Sequence, residues 1–178
     1  MEEIIKSLQS GDIKALEEVI VLYQQRIYCY ILKMTKNPED AKDLTQEVFI
    51  TVYEKIHQYR VSVSFMAWIY KIAKNKTFNY LKKTKVRKYL EISKSKNSYI
   101  EPYFDELLGF DPSIESSLDK LSLDEKNILL LKCVEEVTYA ELAQIYHLSE
   151  ATIRKRYERA RKKFAKYYDG IMEVENYA

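Results

Sequence analysis

The chain has 178 residues, 47% hydrophobic and 31% charged, with 29 basic against 27 acidic side chains and a net charge of +2. That balance excludes wholesale disorder, and at roughly 100–200 residues per domain the length allows one domain or two small ones. Three glycines and three prolines are too few for a turn-rich sheet protein; two cysteines (Cys29, Cys133) and two histidines exclude a disulfide framework and an ordinary zinc site. Apolar runs such as Phe65 to Tyr70 fall far short of the ~20 residues that span a bilayer. The acidic start, Met1-Glu2-Glu3, opens no signal peptide. The expectation is an all-α chain in the cytoplasm, with no metal, cofactor, small-molecule substrate or direct membrane insertion.

In chain order, Ser10-Gly11-Asp12 punctuates the start of a long amphipathic helix, Ile13 to Met34. Its apolar positions Leu16, Val19, Ile20, Tyr23, Ile27, Tyr30, Ile31 and Met34 keep three- and four-residue spacing. Asn37-Pro38 stops it, because the residue before proline is pushed out of the α region. Pro38 then opens a second helix through about His57, with Glu39 and Asp40 at its positive end. Ala41, Leu44, Val48, Val52 and Ile56 are its inner positions, with Phe49 and Tyr53 beside them; Asp43, Gln46 and Glu47 are outer positions. Residues 59–64 break the pattern as a loop, and Ser64 can cap a third helix, Phe65 to about Lys83. Residues 84–113 turn basic, then Ser-rich, then acidic, and read as a flexible linker with a partial helix at Phe104–Leu108. A second domain begins near Ile114. Ser122-Leu-Asp-Glu125 and Thr138-Tyr-Ala-Glu141 are capping boxes, the second opening a short helix to Tyr146. His147-Leu148-Ser149 is a tight turn before a last helix to about Tyr168, and an acidic tail, 169–178, follows.

Charge is segregated along the chain. Lys71 to Lys88 carries eight basic residues and no acid, and Ser149 to Tyr168 nets +6; Asn97 to Asp119, between them, nets −6. Two basic blocks on helices suggest two surfaces for a polyanion. A solvated helix face is the plainer reading of either block alone.

Two short helices joined by a three-residue turn suggest a helix-turn-helix over 138–165. Ile153, Tyr157, Ala160 and Phe164 make one buried stripe. Ala151, Thr152, Arg154, Lys155, Glu158, Arg159 and Lys162 are then left facing outward or flanking, as a major-groove reader requires. The turn needs a left-handed residue, which His147 can supply at some strain. A helical hairpin with a basic face is the alternative. On the third helix, Phe65, Trp68, Ile69, Ile72 and Ala73 pack, while Lys71, Lys74, Asn75, Asn79 and Lys82 lie on the other side. Asn can read base edges, and Trp68, Tyr70, Phe78 and Tyr80 can stack on exposed bases; aromatics at this spacing are more often core.

Asp40-Ala-Lys-Asp-Leu-Thr-Gln-Glu-Val-Phe49, Phe65-Met-Ala-Trp-Ile-Tyr-Lys-Ile-Ala-Lys-Asn75, Thr138-Tyr-Ala-Glu-Leu-Ala143 and Ala151-Thr-Ile-Arg-Lys-Arg-Tyr-Glu-Arg-Ala-Arg161 together resemble a bacterial sigma factor of the two-domain extracytoplasmic-function (ECF) type, sigma-70 superfamily. The resemblance covers about 12–83 and 114–168. It implies a core RNA polymerase partner, with Asp43, Gln46 and Glu47 docking on the β′ clamp helices and a further contact to the β flap. It implies promoter DNA as a second partner. Ser62, Ser64, Trp68, Lys71, Lys74, Asn75, Phe78, Asn79 and Lys82 would then act at the minus-ten element, and the 150–163 helix at the minus-thirty-five element. It implies an anti-sigma factor as well. On this reading 1–83 is the N-terminal sigma domain and 114–168 the C-terminal one, joined by the 84–113 linker. Four positions depart from the family pattern: Asn79 stands where many relatives have Asp, which would alter base preference; His147 stands at the turn where Gly is most often found; the usual Gly before the helix-turn-helix capping box is replaced within Glu135-Glu136-Val137; and Tyr157 stands where Leu is common. A stand-alone helix-turn-helix regulator is the competing reading. A recombinase-like enzyme finds no clustered nucleophile, Arg and His.

Overall fold

The computed structural model describes residues 1–62, 64–91 and 111–176, with side chains described over 1–62, 64–86 and 111–170. Eight α-helices run through the described residues, and no strand forms among them. They are α1 (Glu2–Gln9), α2 (Ile13–Thr35), α3 (Pro38–Lys55), α4 (Phe65–Glu91), α5 (Pro112–Asp119), α6 (Leu123–Leu129), α7 (Tyr139–Tyr146) and α8 (Glu150–Asn176). The chain divides into two units, the first mainly Met1–Lys83, the second mainly Thr84–Ala143 and His147–Ala178. No described helix is long and apolar enough to cross a membrane.

In the first unit α2 and α3 form an antiparallel hairpin. Asp12 caps α2, accepting from the Lys14 N–H, and Asn37 caps α3, accepting from the Asp40 N–H, with Pro38 at the first helical position. Lys36, between them, is left-handed at φ 55°. Val19, Ile27, Tyr30 and Ile31 of α2, Ala41, Val48 and Val52 of α3, and Ile69, Tyr70 and Ala73 of α4 make the core. Tyr30 and Tyr70 meet edge to face at 5.5 Å, worth about 0.5–1.5 kcal/mol beyond the area they bury. Tyr53, expected beside the inner stripe, is 36% exposed at the end of α3.

Three elements differ from the sequence reading. Helix α1 was not expected: it contributes only Ile5 and Leu8 to the core, too few for a period to register in an eight-residue window. Helix α4 runs eight residues past Lys83, because Lys and Arg are good helix formers and their run contains no stop signal. Helix α8 runs through Asp169-Gly170 to Asn176, since Gly170 is not left-handed and merely costs helix stability there. The expected partial helix at 104–108 and the body of the linker lie outside the described residues.

In the second unit both capping boxes form. Ser122 and Glu125 cap α6 reciprocally, and so do Thr138 and Glu141 at α7. Helix α6 continues into a π turn, Leu130–Val134, closed by Glu135 N–H to Leu130 O at 3.1 Å. The widened turn delivers Glu136 into the left-handed region at φ 57°, within the Glu135-Glu136-Val137 stretch where the resemblance leads one to expect a glycine. A left-handed non-glycine costs roughly 1–2 kcal/mol, and the greater unfolded-state freedom of glycine gives back about 0.5–1. Glu136→Gly is therefore expected to raise stability by about 0.5–1 kcal/mol, read as a higher thermal midpoint; a lower midpoint would mean that the exposed carboxylate has a role of its own.

Glu125 also joins α6 to α8. Its carboxylate takes the Ser122 N–H at 2.8 Å and the Lys163 ammonium at 3.0 Å. Burial works to raise its pKa, but the Ser122 hydrogen bonds and Lys163 outweigh it and the net shift is downward. A lowered folded-state pKa adds stability above the ordinary carboxylate value of about 4.3 and loses it as pH falls through the folded value. Glu125→Gln should thus be less stable than the unaltered chain at pH 7 and converge with it in acid, measured by denaturant unfolding across pH 2–7. Parallel curves would remove the charge from the account.

Candidate nucleic-acid interface

The helix-turn-helix is α7, the turn 147–149 and α8. His147 sits at φ 54°, ψ 45°, the left-handed cap the turn requires, and Leu148 N–H closes on Ala143 O at 3.0 Å. Ser149 caps α8: its Oγ accepts from the Thr152 N–H at 3.3 Å and meets the Thr152 hydroxyl at 2.8 Å. Ile153 and Ala160 are fully buried, and Tyr157 and Phe164 half-buried. The Tyr157 hydroxyl lies 3.5 Å from Cys133 Sγ. That contact first, and burial second, push its pKa up to about 12, so the phenol stays neutral.

The opposite face of α8 carries Ala151, Arg154, Lys155, Glu158, Arg159 and Lys162, all exposed. Two of the expected reader residues are otherwise engaged: Thr152 is half-buried in the cap, and Glu158 pairs with Arg161 at 3.3 Å. Arg154 is held in place. Its guanidinium lies 4.2 Å over the Tyr139 ring and 3.6 Å from Glu150. Tyr139 itself packs edge-on against Tyr157, so the aim of Arg154 is set from two helices. No sequence period foretold that tether, because Tyr139 and Arg154 lie on different helices.

In the first unit, Asn75, Asn79 and Lys82 are exposed on one stripe of α4, with Lys71 and Lys74 half-buried. The rings divide differently from the expectation. Tyr70 is fully buried in the core and Phe78 is 9% exposed, so neither offers an open face for a base. Both stand one position past a residue of the inward stripe of Phe65, Ile69, Ala73 and Thr77, at its flank, and the packing of α4 turns them in. The Lys74 ammonium lies 5.5 Å from the Phe78 ring centroid. Trp68 remains half-exposed in a cluster with Tyr59 at 5.4 Å and Phe65 at 5.9 Å. Ser62 is exposed in the loop; Ser64 caps α4, its Oγ accepting from Ala67 N–H at 3.4 Å. Val63 lies outside the described residues.

On α3, Asp43, Gln46 and Glu47 all face solvent. Glu47 reaches Lys76 of α4 at 3.1 Å while 57% exposed, so its charge is partly spoken for. Gln46 also borders a feature the sequence reading missed: an open groove of about 410 Å³ between α2 and α3, with Leu16, Ile20, Phe49 and Ile50 along its walls. Ile50 is 57% exposed, and its outward position, four residues after Gln46, was the available signal. The second unit has a smaller apolar groove of about 250 Å³ among Ile114, Leu118, Leu130, Val134 and Phe164. No group of three His, Cys, Asp or Glu among the described residues could hold a metal.

A three-helix core with an exposed polar face, followed by a helix-turn-helix with a basic reading face, defines a DNA-binding transcription factor built in two parts. Comparisons with known proteins give the family. Residues 19–87 match sigma-70 region 2, and residues 113–164 match sigma-70 region 4. The ECF RNA polymerase sigma factor SigW of Bacillus subtilis is 26% identical over 174 residues, covering 91% of this chain and 93% of SigW. SigM of the same organism is 27% identical, covering 86% and 95%. The sigma factor RpoE of Bartonella quintana, solved with the anti-sigma factor NepR, shares the fold with a TM-score of 0.71 at 19% identity, over 88% of this chain and 98% of that one. CnrH, solved with the cytosolic domain of CnrY, gives 0.72 at 17%, over 94% and 96%. The chain belongs to the sigma-70 family, as an alternative sigma factor of the ECF type that binds core RNA polymerase and directs promoter-specific transcription.

Proposed function

We propose that residues 1–83 dock on core polymerase and open the minus-ten element, that 114–168 reads the minus-thirty-five element through α8, and that the linker between them threads the polymerase channels. The observation that carries the reading is the pairing of a duplex-reading helix, aimed by its turn and by Tyr139, with a separate unit whose exposed faces are polar and aromatic. Duplex recognition needs a groove helix; unpaired bases need stacking surfaces and hydrogen-bonding edges. Asp43, Gln46 and Glu47 meet the β′ clamp helices, with Ile50 and the groove beside them adding apolar area. The groove of the second unit gives the β flap an apolar seat. At the minus-ten element Ser62, Trp68, Lys71, Asn75, Asn79 and Lys82 act directly; Ser64 acts by setting the start of α4. Between 97 and 113 the linker carries four acids and no base, which suits a path otherwise taken by nucleic acid. The protein acts in the cytoplasm, without catalysis of its own, and an anti-sigma factor holds it inactive by covering apolar surface.

The test is reconstitution. The purified chain should co-elute with bacterial core polymerase and make it initiate selectively on duplexes recovered from a randomised pool. Failure to co-elute, with tight dimeric binding to palindromic duplex by the chain alone, would favour the stand-alone regulator.

A further inference from the structure

We propose that Gln9 of α1 is a positioning residue for promoter opening, its side-chain amide fixing the point from which the 59–64 loop departs. This rests on the reading of that loop as the strand-separating element. Helix α1 precedes the region 2 match, which begins at residue 19, so that match assigns it no part.

The Gln9 Nε2 donates to Ile56 O at 3.2 Å and, at a longer 3.4 Å, to Tyr59 O. A carbonyl can only accept, so the amide must turn its nitrogen to the loop. Ile56 opens the 3-10 turn Ile56–Gln58 and its carbonyl also accepts the Tyr59 N–H at 3.0 Å, so the amide reinforces the closure of that turn and reaches the Tyr59 carbonyl just past it. Tyr59 is held on both sides of its Cα. Its ring is buried, 5.1 Å from Phe65 and 5.4 Å from Trp68, both on the first turn of α4. The chain leaves this pivot at Arg60 and returns at Ser64, where the α4 cap fixes the other end. A loop with both ends held loses less freedom when it grips a base, so less of the contact energy is spent on ordering it. Ile5 and Leu8 bury α1, so the amide is presented by an anchored helix. Gln9 itself is exposed, and water competes for the same carbonyls, which limits the effect to a severalfold one.

Gln9→Glu keeps the shape and removes the donor; Gln9→Lys keeps a donor. Each is assembled with core polymerase on a duplex promoter recovered from a randomised pool by the unaltered holoenzyme. Strand opening is followed with 2-aminopurine in the minus-ten element. A version of the same promoter with that element mismatched, and so already open, serves alongside. Gln9→Glu is expected to slow opening about three- to tenfold, with core affinity and initiation on the pre-opened template unchanged and Gln9→Lys recovering most of the rate. An unchanged opening rate in Gln9→Glu, while Ser62→Ala/Asn75→Ala opens slowly, overturns the Gln9 assignment and leaves the loop reading intact. If neither variant slows opening, the loop reading falls and the proposal with it. A parallel drop in core affinity, or an equal defect on the pre-opened template, would make Gln9 structural and also overturn the proposal.

Discussion

Asp43→Ala/Glu47→Ala should cut affinity for core polymerase by at least about a hundredfold, since truncating one partner of a desolvated charge pair costs roughly 2–5 kcal/mol. Both carboxylates stand on the exposed side of α3, one turn apart, and neither supports the core. Their loss should leave the thermal midpoint nearly unchanged, as surface substitutions usually do within about 0.5 kcal/mol. Glu47 needs a control because it also pairs with Lys76. If its role were only to hold α3 to α4, Lys76→Ala would reproduce Glu47→Ala; an exposed ion pair is worth no more than about 1 kcal/mol. The expected pattern is a large loss for Asp43→Ala, a smaller one for Glu47→Ala, and little for Lys76→Ala, read by fluorescence anisotropy of the labelled chain titrated with core. Full affinity in the double variant would remove α3 from the docking surface.

Arg154→Ala should cost about 1–3 kcal/mol at the minus-thirty-five element and relax selectivity at one base pair. Arg159→Ala should cost less. Both are exposed on α8, but Arg154 is already aimed by Tyr139 and Glu150, so it gives up less rotamer freedom on binding. Lys155→Ala and Lys162→Ala should behave otherwise. They should weaken every duplex alike and reduce the slope of log affinity against log salt by about 1 each. Holoenzyme binding to a set of single-base promoter variants, from 50 to 300 mM salt, separates the two kinds. If Arg154→Ala weakened all variants equally, Arg154 would be a phosphate contact and another residue would read the base. Tyr139→Phe, which keeps the ring, should leave selectivity intact, whereas Tyr139→Ala should approach the Arg154→Ala defect.

Features with a local physical cause were legible in the residues. Both capping boxes, the Asn37-Pro38 break, Ser149 as a cap and the left-handed His147 depend on a side chain meeting backbone within a few residues, and spacing carries that information. The stripe of Ile153 and Ala160 and the outward Asp43, Gln46 and Glu47 follow from the helical period alone. Helix ends without a stop signal were misplaced, because Lys, Arg and a single Gly let a helix run on. Phe78 shows the same limit from the other side. Its spacing allowed both faces, and only the packing of α4 put it inward.

The all-α class, the two-part order, the helix-turn-helix and the charge carried on each part are written in the residues, since they rest on composition and on contacts no more than four residues long. Which side chains are already committed emerges from the packing of the helices: Glu47 to Lys76, Arg154 to Tyr139, Glu125 to Lys163, and Gln9 to the carbonyls of Ile56 and Tyr59. Those pairings join residues 15 to 50 positions apart. No periodicity couples positions at such a distance; they meet because each helix buries its own stripe, and the packing of the stripes sets which polar groups are left side by side.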